Sequence, residues 1–101
     1  MLKLPPLQQA ILEADVVARL FHDLATCTQI RAVVPKRRLH TQVEEAPIEL
    51  ATAQEELCRG ILRGVQIRYL YEGREWCDTL LGLDGGRARL VRIATDELTG
   101  P

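Results

Sequence analysis

The sequence predicts a single α+β domain, in which two helices pack on one face of a mostly antiparallel sheet that ends in a three-stranded meander. Three observations support this prediction. Apolar residues recur at three- and four-residue steps in two segments before Gly64, as they do in amphipathic helices. From Val65 onward the apolar period changes to two, which is typical of strands. Glycine-containing turn signals separate the last three runs, and such signals join antiparallel neighbours.

Length and composition are those of one globular unit. The chain has 101 residues, of which 47% are hydrophobic and 27% charged, enough for a single core. Its formal net charge of -1 gives no strong overall field for a polyanion or a membrane surface. No run approaches the roughly 20 apolar residues of a membrane helix, and no targeting segment is visible, so we expect a cytoplasmic protein. Residues 1–95 are predicted to form the domain and residues 96–101 a flexible tail.

The first part of the chain is predicted to contain a helix followed by a strand. The apolar stripe of the helix extends from Leu7 to Ala25, with two prolines in the first turn. Residues 28–34 are rich in β-branched side chains and predict a strand that Pro35 closes.

A second helix is predicted after a short edge strand at residues 46–50. Thr52 and Glu55 have the spacing of a capping box, in which each side chain bonds the other residue's backbone amide. The helix that they open is expected to end at Gly64, with Gly60 inside it at a cost of about 1 kcal/mol relative to alanine.

The loop between the first two strands of the meander decides which side chains face the helices, because a slip of one residue exchanges the two faces. A three-residue loop, Tyr71 to Gly73, pairs Arg68 with Trp76 and Ile67 with Cys77. The face toward the helices is then predicted to hold Val65, Ile67, Tyr69, Cys77, Thr79, Leu81 and Leu83.

The other side of this hairpin carries the candidate partner-binding residues Arg68, Arg74, Trp76 and Asp78, with arginines of the last strand nearby. Arginine can stack on tryptophan, and the centres of protein interfaces are enriched in both residues. Two interpretations remain open: a solvated face held by one cation–π contact and one ion pair, or a recognition surface. A two-residue loop would instead turn Trp76 toward Tyr69 in the core.

We therefore expect a small non-enzymatic accessory or adaptor protein that binds a protein partner, or a second copy of itself, through the surface around Trp76. No cofactor is expected. An alternative is a module that binds single-stranded nucleic acid through Lys36, Arg37 and Arg38 and the arginine-rich last strand. The sequence pI of about 6.1 is low for such a module.

A thiol-dependent enzyme is a further alternative, since Cys77 is followed by Asp78. A cysteine nucleophile needs a lowered pKa and a base within reach. Cys77 is predicted to face an apolar interior, and the sequence does not place His22 or His40 beside it. Structural zinc is not expected either, because the three cysteines are widely separated and include no short-spaced pair.

Overall fold

The computed structural model, which describes residues 9–37 and 46–95, confirms the α+β class. The strands form one antiparallel sheet in the order β1-β5-β4-β3-β2, and β3, β4 and β5 are the predicted meander. Arg38, His40 and the predicted tail lie outside the described residues. In chain order the elements are β1 (Gln9–Leu12), α1 (Ala14–Cys27), β2 (Gln29–Arg37), α2 (Leu50–Cys58), β3 (Leu62–Tyr71), β4 (Arg74–Gly82) and β5 (Ala88–Ala94).

Both helices lie on one face of the sheet and share a core with it. Helix α1 buries Leu20, Phe21 and Leu24 in this core, and α2 buries Ala53 and Leu57. The sheet contributes the alternate side chains of its strands, namely Leu12, Val33, Val65, Ile67, Tyr69, Leu80, Ala88 and Leu90. The core is therefore the single layer between the helices and one side of the sheet.

The predicted first helix is wrong at its beginning, because residues 9–12 form β1. This strand pairs with β5, and Leu12 faces the core while Ile11 is 60% exposed. A four-residue step from Leu7 to Ile11 fits a helix in the sequence, but pairing with a strand nearly 80 residues later decides the local structure. Helix α1 begins at Ala14 and ends near Thr28, whose hydroxyl donates to the Leu24 carbonyl at 2.6 Å.

Strand β2 continues through Pro35 to Arg37, although the sequence predicts that Pro35 closes it. The Val33 carbonyl accepts a hydrogen bond from the Ile48 amide, outside the sheet. Pro35 lies two residues later in unbroken register and therefore turns its nitrogen to the same outer edge. The missing amide hydrogen costs no ladder bond there, as is usual for proline on an edge strand.

Residues 46–49 form no strand, so the predicted edge strand at 46–50 is wrong. The Ile48 amide donates to the Val33 carbonyl of β2, and α2 begins at Leu50 with Glu49 as its N-cap residue. The predicted capping box is also wrong, since Thr52 lies inside the helix. Gly60 lies after the end of α2 with φ of 76°, and the amides of Gly60 and Ile61 bond carbonyls of the last turn. This is a glycine-dependent helix stop.

The loop between β3 and β4 has two residues, and the predicted three-residue loop is wrong. Glu72 and Gly73 have φ of 51° and 79°, as in a type I′ turn, and Tyr71 pairs with Arg74. Trp76 therefore pairs with Tyr69 and Asp78 with Ile67. The predicted core residues of β3 are buried as expected. On β4 the predicted core residues Cys77, Thr79 and Leu81 point away from the helices instead, because the loop is one residue shorter. Their neighbours Trp76, Asp78 and Leu80 are the residues on the helix side.

The turn yields a stability prediction with opposite signs at its two residues. Glu72→Asn should raise the free energy of unfolding by about 0.5 kcal/mol, since asparagine tolerates positive φ better than glutamate. Gly73→Ala should lower it by about 1 kcal/mol, because a Cβ is strained at positive φ even though the space around Gly73 is open. Urea unfolding followed by tryptophan fluorescence measures both. A destabilised Glu72→Asn variant would contradict the type I′ assignment.

Candidate functional site

The structure separates the four residues predicted to form one partner-binding surface. Arg68 is exposed on the face of the sheet that points away from the helices. Trp76 and Asp78 lie on the helix side, opposite Tyr69 and Ile67. Arg74 accompanies Trp76 on that side, at the turn end of β4. The predicted surface with all four residues on a solvent-facing side is therefore wrong in its geometry, and the one-residue change of register is the reason.

Trp76 makes a cation–π contact, but the cation is Arg74 of the same strand and not Arg68 of β3, which the sequence predicts to lie opposite it. The Arg74 guanidinium carbon lies 5.1 Å from the centre of the indole ring. The two residues are two positions apart on β4, so their side chains extend to the same side of the sheet. Trp76 is half-buried and packs against the core, while Arg74 is exposed. The contact covers the core at the turn end of the sheet.

Asp78 forms a buried ion pair with Arg92 of β5, directly opposite it in the sheet. Arg92 Nε donates to Asp78 Oδ1 and Nη2 donates to Oδ2, both at 2.8 Å. The Tyr69 hydroxyl also donates to Asp78 Oδ1, at 2.9 Å. The side chains of Asp78 and Arg92 are 0% and 2% exposed. Both carboxylate oxygens are thus satisfied inside the protein, with the two-pronged geometry that is favourable for arginine and carboxylate.

Burial and the charges of this pair change the pKa values of Tyr69 and Arg92. Burial, and then the negative charge of Asp78, raise the pKa of the Tyr69 hydroxyl above its ordinary value. Burial alone would lower the pKa of Arg92, but the hydrogen bonds and charge of Asp78 outweigh it and raise that pKa. Arg92 stays charged and Tyr69 stays neutral. A charged Arg92 bonded to Asp78 and a neutral Tyr69 suit the arrangement to holding the three strands together.

Arg92 is the residue of this pair that sequence reasoning did not single out. The run from Ala88 to Ala94 alternates, so Leu90 and Arg92 share one face of β5. A leucine and an arginine on the same side predict that one of the two is in an unusual environment. Nothing in the sequence alone identifies Asp78 as the buried partner, because that depends on the register of three strands.

The face of the sheet away from the helices is here called the open face. No other element of the described chain covers it, and adjacent strands contribute side chains to it in register. Its residues are Gln9 and Ile11 of β1, Gln29, Ala32, Val34 and Lys36 of β2, Gly64, Gln66, Arg68 and Leu70 of β3, Glu75, Cys77, Thr79 and Leu81 of β4, and Arg89, Val91 and Ile93 of β5.

Aliphatic side chains are spread over the open face, and Leu81, Val91 and Ile93 of β4 and β5 lie next to one another. Val34, Leu70, Leu81, Val91 and Ile93 are half-buried and lie on four neighbouring strands. The charged side chains of this face are separated from one another, namely Lys36, Arg68, Glu75 and Arg89. An antiparallel sheet that faces water normally alternates apolar residues inside with polar residues outside. The open face departs from that pattern, because Val91 and Ile93 of β5 and Ala32 and Val34 of β2 are outward positions with aliphatic side chains.

Cys77 lies in the middle of the open face, opposite Arg68 of β3 and Ile93 of β5. The prediction that it faces the helices is wrong, yet the side chain is 1% exposed. Burial raises the pKa of the Cys77 thiol, and the positive charge of Arg68 opposes this only in part. A nucleophilic thiol needs the opposite shift. The geometry of Cys77 therefore gives no support to thiol catalysis.

The residues proposed for nucleic-acid binding end β2. Lys36 is exposed on the open face, while an Arg37 guanidinium nitrogen lies 3.6 Å from a Glu56 carboxylate oxygen. The aromatic side chains of the meander, Tyr69, Tyr71 and Trp76, are on the helix side, so the open face itself has no described aromatic residue on which a base could stack. Within residues 9–37 and 46–95, no cluster of histidine, cysteine and acidic side chains has the arrangement of a metal site.

The buried pair predicts a large loss of stability when one partner is removed. Asp78→Ala leaves the Arg92 charge buried without its carboxylate, which should lower the free energy of unfolding by about 3 to 5 kcal/mol. Replacing both partners, as Asp78→Leu with Arg92→Met, should restore much of that loss. Asp15→Ala is the control, because the Asp15–Arg19 pair on α1 is exposed and should contribute less than about 0.5 kcal/mol. Denaturant unfolding measures all three. Equal effects of Asp78→Ala and Asp15→Ala would contradict the assignment.

Tyr69 predicts a loss of stability at alkaline pH. Its pKa is higher in the folded than in the unfolded chain, so the folded state retains a proton that the unfolded state releases above about pH 10. The stabilisation is therefore complete below that pH and declines as pH rises beyond it. Tyr69→Phe should show a smaller decline than the unmodified chain, and Tyr71→Phe, the same change on the same strand, is the matched variant for comparison. Thermal unfolding between neutral and alkaline pH tests this, and identical pH profiles of the two variants would contradict it.

None of the helices in the described part of the chain is both long and apolar enough to cross a lipid bilayer. No family model, curated protein or solved structure matches this chain. The grounds for a function are therefore the fold and the distribution of side chains over its two faces.

Proposed function

We propose that this chain is a small non-enzymatic accessory or adaptor protein that binds a protein partner through the open face. One observation carries the proposal: half-buried aliphatic side chains of an uncovered sheet face extend over four neighbouring strands, and no described element packs on them. Extended apolar surfaces of this kind are characteristic of protein interaction sites. The two helices complete the core on the other side, so the open face is not needed for the core.

The charge distribution of the open face also supports contact with a protein. Arg68 lies near the middle of the face with its guanidinium exposed, and interface centres favour arginine over lysine and acidic residues. Lys36, Arg89 and Glu75 lie nearer the ends of their strands. Apart from Arg68, the charges of the open face therefore lie toward its rim, where interfaces usually have their polar residues.

The proposed surface retains only one of the four residues predicted from the sequence. Arg68 belongs to the open face. Asp78 is fully buried in its pair with Arg92 and cannot contact a partner. Trp76 and Arg74 cover the core on the helix side, where their contact stabilises the fold. We therefore still propose that the chain binds a protein partner, but through the open face and not through the surface around Trp76.

Site-specific photocrosslinking tests the proposal. A benzophenone amino acid at Gln66, in the middle of the open face, should give an adduct of discrete mass when the protein is expressed and irradiated in cells of its source organism. The control position is Thr52, which is exposed on α2. We expect a discrete adduct from position 66 and none from position 52. Folded, expressed protein that gives no adduct from position 66 would overturn the proposal.

A further inference from the structure

The open face has a middle row without any charged residue. Read across the sheet in register, this row consists of Val34, Gln66, Thr79, Val91 and Gln9. All of these side chains are apolar or uncharged and polar, so each of them can face an identical side chain without electrostatic repulsion. A surface that contacts its own copy across a two-fold axis needs this property along the axis.

We propose that the partner of the open face is a second copy of this chain, an inference that rests on the proposed function. The two sheets stack face to face, and the two-fold axis runs along the middle row. Such a contact is isologous, so both copies use the same residues. The strands of the two sheets are aligned within about 30°, which is the usual geometry of stacked twisted sheets. The helices form the two outer layers of the dimer.

The rows on either side of the axis are complementary under this symmetry. On β3, Gly64 lies two positions before Gln66 of the middle row, and Arg68 lies two positions after it. The axis therefore places the row that contains Arg68 opposite the row that contains Gly64 in the other copy. Lys36, Arg68 and Arg89, the cations that the register places on the open face, then each face a small or aliphatic residue and not one another. The facing pairs are Arg68 with Gly64, Lys36 with Ala32, Arg89 with Ile93, and Cys77 with Leu81.

Leu81 also lies over Gly64, where its Cδ2 atom is 2.9 Å from the position that a Cβ would occupy. The Arg68 guanidinium of the other copy would therefore lie against an aliphatic surface. Glu75, the one carboxylate of the open face, lies near the turn end of β4, four residues from the middle row. The axis places it opposite the far end of β4 in the other copy, away from the second Glu75.

The size of the open face is of the same order as that of a small protein interface. Five strands at about 4.8 Å spacing and seven residues at about 3.4 Å give a flat area of about 24 by 24 Å. The relief of the side chains raises the accessible area toward the roughly 800 Å² per partner of a standard interface. The open face therefore offers much of the area that each partner of a standard interface buries.

The edges of the sheet are less suited to self-association than the face. On β2, the Val33 carbonyl already accepts the Ile48 amide, and Pro35 offers no amide hydrogen at the same edge. The other edge strand, β1, has only four residues. Short edge strands and edge prolines are features that oppose strand-to-strand pairing between molecules.

Sedimentation and light scattering of the full chain test the dimer. We expect a mass twice that of the 11.4 kDa chain at micromolar concentration. Thr79→Arg places a cation against its own copy on the axis and should give a monomer, and Gln66→Arg, a second substitution in the same row, should do the same. Thr52→Arg, on exposed α2, should stay dimeric. Circular dichroism and cooperative unfolding establish that each variant is folded.

The outcomes separate this inference from the proposed function. A monomeric unmodified chain whose position-66 adduct has a mass other than twice that of the chain overturns the dimer and leaves the protein-binding function supported. A monomer without any adduct overturns both. A dimer that persists in folded Thr79→Arg and Gln66→Arg shows that the copies meet elsewhere, and also overturns the inference. If one variant does not fold, the other decides.

Discussion

The two-residue turn at Glu72 and Gly73 connects the first two strands of the meander, and their register depends on it. Both residues have positive φ, which only a tight turn of this type combines with strand pairing on either side. Because side chains alternate along a strand, the length of this turn determines the faces of β4 relative to β3. It places Leu80 in the core, Asp78 beneath the helices and Cys77 on the opposite side. The composition of both faces follows from this register.

The buried pair of Asp78 and Arg92 makes that register specific. Two ions inside a protein are costly to desolvate, so their attraction offsets the cost only when the geometry is good. Here both carboxylate oxygens are bonded by Arg92, and Tyr69 adds a third hydrogen bond. A slip of one residue between β4 and β5 would separate the charges and bury apolar residues incorrectly. The pair therefore disfavours alternative pairings of the central strands more than it adds net stability.

The same alternation produces the surface on which the proposed function rests. Residues that do not face the helices must face the other way, and on β5 these include Val91 and Ile93. The helices provide a complete core on one side. The proposed function attributes the aliphatic residues of the other side to contact with another molecule. The uncharged middle row and the charges at separate positions are the observations behind the proposed second copy.

Much of the architecture could be predicted from local pattern. The change of period after Gly64, the amphipathic stripe around Phe21 and the glycine-containing turns predict two helices, a meander and the α+β class. The segments that were assigned wrongly are those in which a distant strand competes with local preference. Residues 9–12 have a helical spacing but pair with β5, and Pro35 remains in β2 because its nitrogen lies on the edge.

The sequence by itself determined that Trp76 and Asp78 lie on one side of β4 and Cys77 and Thr79 on the other, because alternation along a strand is a property of the backbone. Which side faces the helices was decided only in the tertiary structure. A turn of two or three residues at the same glycine is compatible with the local sequence, and the choice depends on contacts across strands. The pairing of Asp78 with Arg92, 14 residues later, and the packing of Leu80 beneath the helices favour the shorter turn. Such contacts are not visible in the order of residues along any single strand.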